Sequence, residues 1–254
     1  MRLTSRPQFH ISLAFYPSEI RIAKVTKHRN RYSIPELVTI DIGHDLNRAL
    51  SPHLDASGLV PRLTLLFNHP DVLIKYIPFA SKLSDYEYYL DLKENLYQHF
   101  PVEEELVFDF HKINPQKILL VAAKKKQIQT SLSYFNNKQL PLHIIDVDTF
   151  AIIRGIYFLY PDLDKDLVIL NCELSFTQLI LVMNGNLIFC ETLADDINDL
   201  ETHVNNCLVK FNLSLSTKKI RVGVLAETIL PHVLLSKDHQ YVAVLGGALS
   251  RFNA

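Results

Sequence analysis

Along residues 9–15, 19–26 and 31–41, apolar and polar positions read as three strands joined by tight polar turns at Tyr16-Pro17-Ser18 and His28-Arg29-Asn30. The arrangement recurs at residues 167–172, 175–183 and 186–193, where Asn184-Gly185 is a two-residue hairpin turn of the kind that wants positive φ. A helix is predicted after each triple. The second is the clearer: Ile197, Leu200, Val204, Leu208 and Phe211 recur at helical spacing behind Asp195 and Asp196, acids that the positive end of a helix dipole favours. A strand over residues 220–225 follows.

The stretch between the triples has its own character. Residues 62–68 and 72–78 look like a hairpin around His69-Pro70-Asp71. Ser84 and Glu87 form a capping box for a helix that Pro101 stops after Phe100. Its apolar positions Tyr86, Tyr89, Leu90, Leu96, Tyr97 and Phe100 form one stripe, so that face is expected to pack on something. Strands over residues 105–111 and 117–123 come next, the second a continuous apolar run typical of a central strand. A helix bearing Ile128, Leu132 and Phe135 on one face, a strand over 142–147 and a helix over 149–160 lead into the second triple.

Three strands followed by helix and strand units, repeated, with an α+β module inserted in the first half, is the layout of a two-lobed actin-like α/β fold. Residues 1–60 with 140–165 would form the first lobe, 61–139 the inserted module and 166–254 a reduced second lobe. A plain mixed α/β domain is the alternative.

Composition narrows the chemistry. Only seven of 254 residues are glycine, where average usage gives roughly 18. Neither GxGxxG nor GxxxxGK[ST] occurs, which excludes those two phosphate loops. An apolar fraction of 48% with 21% charged residues supports sizeable cores. The net charge of -1 supplies no long-range field for a polyanion, so neither nucleic acid nor an anionic bilayer is expected as primary partner. The most apolar stretch, residues 167–190, is interrupted by Asn171, Glu173, Gln178, Asn184 and Asn186, so no spanning helix and no direct membrane insertion are expected. Cys172, Cys190 and Cys207 are odd in number and widely spaced, which reads as buried free thiols in a reducing compartment.

Residues 83–110 resemble the PilM family of type IV pilus assembly proteins. There a helix ending in an aromatic-Pro step is followed by a paired-acid turn and a strand with an Asp-aromatic pair, matched by His99-Phe100-Pro101, Val102-Glu103-Glu104 and Asp109-Phe110. The run Lys117–Lys124, then Asp146-Val147-Asp148 with Phe150-Ala151, and the prolines Pro70 and Pro78 also resemble family segments. The tail from Tyr241 to Arg251 is similar to the family's closing helix, and the glycine shortage resembles compact members called HofM. The resemblance implies a cytoplasmic, actin-like protein held at the inner membrane by the N-terminal tail of a bitopic PilN-like partner, in a groove between the first lobe and the module. The assembly ATPase and the platform protein are the further partners it brings in, for a pilus or a DNA-uptake machine. Carried over, Ile77, Pro78 and Phe79 and the helix face of Tyr86, Leu90 and Tyr97 would lie near that tail; core packing is the competing account of each.

Actin-like nucleotide sites set backbone amides of two hairpin turns around the phosphates, with carboxylates before those turns for the metal. Here the first turn, Leu13 to Ser18, has neither carboxylate nor glycine; Pro17 lacks an amide donor, and Phe15 and Tyr16 add bulk. In the second turn Ser175 and Thr177 survive, but Leu170 or Asn171 stands at the Asp position and Cys172 at the Gly position. The adenosine-side glycine pair is reduced to Gly223-Val224 unless Gly246-Gly247 substitutes. Loss of the carboxylates removes the oxygen ligands Mg²⁺ prefers. The expectation is therefore no catalytic residue, no cofactor and a degenerate site whose remnants are Ser18, Ser175, Thr177, Gly246 and Gly247. An actin-like ATPase of the same machinery is the alternative.

Other chemistries are weaker. The eleven histidines show no HExxH or other paired-ligand spacing, so no metal is expected. Asp146 and Asp148 could do acid/base work, although Asp148 reads more simply as a helix cap. Lys124-Lys125-Lys126 and Glu103-Glu104-Glu105 read as solvated charged edges.

Overall fold

The computed structural model describes residues 8–28, 31–41, 52–53, 62–67, 72–79, 83–114, 116–137, 142–193, 199–223, 234–235 and 239–250. The chain divides into two units, Met1–His69 with Pro141–Ala254, and Pro70–Leu140.

The larger unit holds two five-stranded sheets of the same plan. In the first, β1 (Gln8–Phe15), β2 (Glu19–His28) and β3 (Arg31–Asp41) form an antiparallel meander, extended by β4 (Arg62–Phe67) and β8 (Leu142–Val147) in the order β3-β2-β1-β4-β8. In the second, β9 (Leu167–Cys172), β10 (Thr177–Met183) and β11 (Asn186–Leu193) make the meander, and β12 (Lys218–Val222) and the two-residue β13 (Leu234–Leu235) complete the order β11-β10-β9-β12-β13. The additions are parallel in both: β4 runs along β1 with Leu13 beside Leu65, and β12 along β9 with Ile220 beside Ile169. The weak repeat in sequence is thus a full repeat of topology.

Each meander forms because its apolar runs are separated by short polar turns that let the strands fold back on one another. Asn184 (φ 53°) and Gly185 (φ 78°) take the positive dihedrals that a two-residue hairpin between β10 and β11 demands. β9 is buried along its whole length, as expected of a strand covered on both faces. Over the second sheet, α4 (Leu200–Lys210) packs Val204, Cys207 and Leu208 onto Val168, Leu170, Leu179 and Leu181. The sequence-predicted helix start at Asp195, Asp196 and Ile197 lies outside the described residues; Asp199 caps the helix by accepting from the Thr202 amide at 2.9 Å.

The helix α3 (Asp148–Leu159) packs against α5 (Val242–Ala248), near the chain's end. Their backbones touch: a β-carbon on Gly246 would be driven into the Ala151 carbonyl, and one on Gly155 into the Val242 carbonyl. Gly247 lies as closely against Ser12 of β1. Gly246 and Gly247, expected as remnants of the nucleotide site, are thus placed as buried helix-packing glycines of the larger unit.

The smaller unit is a three-stranded antiparallel sheet in the order β5-β7-β6, from β5 (Val72–Pro78), β6 (Leu106–Asn114) and β7 (Lys117–Lys124), with α1 (Asp85–His99) and α2 (Lys125–Asn137). The expected hairpin of residues 62–68 with 72–78 does not form. β4 pairs with β1 and β8 in the larger unit, whereas β5 pairs with β7, so the chain passes from one unit to the other through His69-Pro70-Asp71, outside the described residues. The capping box is present: the Glu87 amide donates to Ser84 Oγ at 3.3 Å and the Ser84 amide to Glu87 Oε2 at 2.8 Å.

Candidate functional site

The two meanders bring their first turns to one place. Tyr16 N–H donates to the Glu19 carbonyl at 2.8 Å, and Glu173 N–H to the Phe176 carbonyl at 2.9 Å, so each turn closes on itself at the equivalent position of its sheet. Between Tyr16–Glu19 and Glu173–Ser175 lies a cleft of about 80 Å³ that also includes Arg21. Pockets that take nucleotide-sized ligands run to roughly 300–1,000 Å³. Ser18 and Ser175 are at its exposed rim, Thr177 is half-buried on β10, and Gly246 and Gly247 are in α5.

What fills the cleft is an ion pair. Arg21 projects from the buried half of strand β2 and donates through both terminal nitrogens to Glu173, Nη1 to Oε1 at 2.8 Å and Nη2 to Oε2 at 2.5 Å. Its Nε donates to Glu19 Oε1 at 2.6 Å, and Nη1 also reaches the Gln240 carbonyl at 2.9 Å. The guanidinium carbon sits 3.9 Å from the centre of the Tyr16 ring. The side chains of Arg21 and Glu173 are only 2% and 3% exposed. Bidentate fork-to-carboxylate pairing is the geometry in which a buried pair gains most from Coulomb attraction.

The electrostatics follow from that burial. Desolvation would disfavour the Arg21 cation, but the hydrogen bonds and charge of Glu173, with Glu19, more than offset it and hold the guanidinium above its ordinary pKa. Burial raises the Tyr16 hydroxyl well above its usual value, reinforced by the Glu173 carboxylate. Arg21 is the only cationic side chain lining the cleft among the described residues, and two carboxylates engage it. A polyphosphate would therefore meet negative charge.

Gly223, expected at an adenosine side, has a positive φ of 91° and lies so close to the Cys172 backbone that a β-carbon would not fit. Its N–H donates to the His239 carbonyl at 2.8 Å, and its own carbonyl lies 2.7 Å from His239 Nδ1. Val224 lies outside the described residues.

Sequence reasoning missed the central pair. It looked for a carboxylate at Leu170 or Asn171 and gave no role to Glu173, one residue beyond Cys172, which lines the cleft. The available signal was a lone arginine between Ile20 and Ile22 and a lone glutamate in an equally apolar run. Of the other weighed groups, Asp146 pairs with Arg154, whose Nε donates to the Gly246 carbonyl at 3.1 Å. Asp148 is the first residue of α3 rather than its cap; it is buried and accepts from the Thr149 amide at 2.6 Å. Lys124 and Lys125 pair with Glu104 and Glu105, each at 2.5 Å, which joins the two charged runs.

In the smaller unit the expected partner residues separate. Ile77 is buried in the sheet-helix core with Leu92, Leu96 and Phe100, so it is withdrawn from any partner surface. Pro78 is exposed, and its carbonyl accepts from the Tyr88 hydroxyl at 3.1 Å. Phe79 is half-buried edge-on to Tyr88, with the Lys112 ammonium 4.5 Å from its ring centre. The face of α1 that packs is Tyr88, Leu92 and Leu96; of the predicted stripe, Leu96 and Phe100 are buried in that core, whereas Tyr86, Tyr89, Leu90 and Tyr97 are exposed. Tyr86, Leu90 and Tyr97 remain 71%, 40% and 46% exposed, a row at i, i+4, i+11 on the opposite side of the helix.

The comparisons accord with this geometry. The family model described as type IV pilus assembly protein PilM matches residues 58–195, over half of the chain. No curated protein matches by sequence. Among solved structures, a PilM-PilN type IV pilus biogenesis complex superposes with a TM-score of 0.71 at 15% identity, covering 94% of this chain and 97% of that one. The cytoplasmic domain of EpsL, an inner-membrane component of the type II secretion system of Vibrio cholerae, gives 0.63 at 8% identity over 96% and 95%. A Bacteroides thetaiotaomicron protein with an actin-like ATPase fold and unknown function gives 0.59 at 10% identity over 94% and 95%. The fold is actin-like.

Proposed function

The chain belongs to the PilM family of type IV pilus assembly proteins, and from that premise we propose that it is a non-catalytic adaptor of the pilus assembly complex at the inner membrane. It binds the cytoplasmic tail of a PilN-like protein while its nucleotide cleft stays shut. The observation that carries the non-catalytic half is the Arg21–Glu173 pair: β2 and the second turn grip each other where a triphosphate would be held, and the cleft that the described residues line there is about 80 Å³.

The docking half draws on the solved complex, whose second component is PilN, and on the exposed apolar row Tyr86, Leu90 and Tyr97. Tyrosines suit such a surface because they bring large contact area with little rotamer entropy to lose. No helix among the described residues is long and apolar enough to cross a membrane, so residence at the inner membrane is assigned to the partner.

Calorimetric titration with a synthetic PilN-like tail peptide tests the reading. The wild type binds one equivalent, and Tyr86→Ala/Leu90→Ala/Tyr97→Ala weakens binding by about tenfold or more, the loss of a typical aromatic anchor. No heat with the wild type removes the adaptor. The ATPase alternative requires Arg21 to leave Glu173, and saturable stabilisation by Mg-ATP together with release of inorganic phosphate would establish it.

A further inference from the structure

Away from the cleft, three side chains of different ligand chemistry meet on the second sheet. His203 and Cys207 are one helical turn apart on α4, which puts both on one face of that helix, and β11 contributes Glu191 opposite them. Their donor atoms all lie within 4.8 Å of one another. His203 Nε2 is 3.2 Å from Glu191 Oε2 and 3.7 Å from Cys207 Sγ.

Those spacings can be compared with a coordination polyhedron. Zinc binds nitrogen and oxygen at about 2.0–2.2 Å and sulfur at about 2.3 Å, so a tetrahedral ion separates an N,O ligand pair by about 3.3 Å and an N,S pair by about 3.6 Å. Both of these edges agree with that geometry to about 0.1 Å, and the third, from Glu191 to Cys207, is within 4.8 Å. Thiolate with imidazole and carboxylate selects a borderline cation such as Zn²⁺ over Mg²⁺ or Ca²⁺, which want an all-oxygen shell. Cys207 is buried at the base of the group, whereas His203 and Glu191 are half-exposed, so the fourth position opens to solvent.

We propose that Glu191, His203 and Cys207 form a site for one zinc-class divalent cation, with three protein ligands and a water. The ion ties α4 to β11, two elements that otherwise meet through apolar packing. The spacing that reveals it, His-x-x-x-Cys, mixes two residue types, which is why a search among the histidines alone passes over it. The site is independent of the adaptor reading.

The test uses the full chain, stripped of metal with a chelator and titrated with Co²⁺ and then Zn²⁺. One equivalent of cobalt should give the intense visible bands of a tetrahedral ion and a near-ultraviolet thiolate-to-cobalt band, both abolished by zinc. Zinc at a hundredfold excess over its Kd should raise Tm by about 5–10 °C for a chain of this size. His203→Gln and Glu191→Gln should each lose about tenfold or more in affinity, and Cys207→Ser should remove the near-ultraviolet band. Because Cys207 belongs to the core and its substitution also perturbs packing, His203→Gln decides the matter alone. A six-coordinate cobalt spectrum, no uptake at one equivalent, or unchanged affinity in His203→Gln would overturn the site and leave a hydrogen-bonded triad.

Discussion

Arg21→Met is the sharpest probe of how the cleft is held. The substitution keeps most of the side chain's apolar volume and removes four contacts of the guanidinium: two hydrogen bonds to Glu173, one to Glu19 and one to the Gln240 carbonyl. It leaves the Glu173 carboxylate, 3% exposed, without its cation. Breaking a buried pair from one side costs about 3–5 kcal/mol, because the surviving charge keeps its desolvation penalty. At about 2–4 °C per kcal/mol for a chain of this size, Tm should fall by about 6–20 °C. Arg21→Met/Glu173→Leu should recover most of the loss, ending within about 1–2 kcal/mol of wild type, since apolar replacement of a whole pair is often neutral. Urea unfolding followed by far-ultraviolet circular dichroism reads all four corners of the cycle, and with one-sided losses of about 3–5 kcal/mol a coupling of about 4 kcal/mol or more is expected. If Arg21→Met lies within about 0.5 kcal/mol of wild type, or the two substitutions simply add, the pair does not fasten the turns and the reasoning fails.

Other outcomes follow from the same structure. Gly246→Ala should destabilise by about 1–3 kcal/mol in urea, because its methyl group meets the Ala151 backbone, which must shift to admit it; unchanged stability would mean α3 and α5 are not in contact. For pH, burial would raise the Glu36 carboxyl, but its bonds to Lys24 and His53 outweigh that and hold it below its ordinary value. A depressed carboxylate contributes stability above the ordinary range near pH 4.5 and loses it as pH falls through the folded value. The stability difference between wild type and Glu36→Gln should therefore hold from pH 7 to about pH 5 and shrink below about 4.5; a difference independent of pH down to about 3 contradicts it.

The elements were legible where their signal is local. Apolar runs between short polar turns marked both meanders, Asn184-Gly185 marked a hairpin, and Ser84 with Glu87 marked a helix start that the structure reproduces. Parallel pairing leaves no such trace. β4 and β5 are two apolar runs either side of His69-Pro70-Asp71 and so imitate a hairpin, while the true partners of β4, β1 and β8, lie far along the chain. On α1 the tyrosines and leucines fill two arcs of the helix. Composition does not say which arc is buried, and the sheet chose Tyr88 and Leu92 over Tyr86 and Leu90. The central pair is the extreme case: Arg21 and Glu173 are 152 residues apart, and only the equivalence of the two repeated sheets puts their turns face to face. The glycine shortage pointed to the right turns but not to the residues that occupy them.

The central claim is a PilM-family adaptor that docks a partner tail without nucleotide. One calorimetric titration addresses it most directly: the PilN-like tail peptide added to the full chain, with and without millimolar Mg-ATP. The account predicts stoichiometric binding of the same affinity in both, with no heat when Mg-ATP is injected alone. An affinity that changes with Mg-ATP, or saturable uptake of Mg-ATP itself, would contradict it.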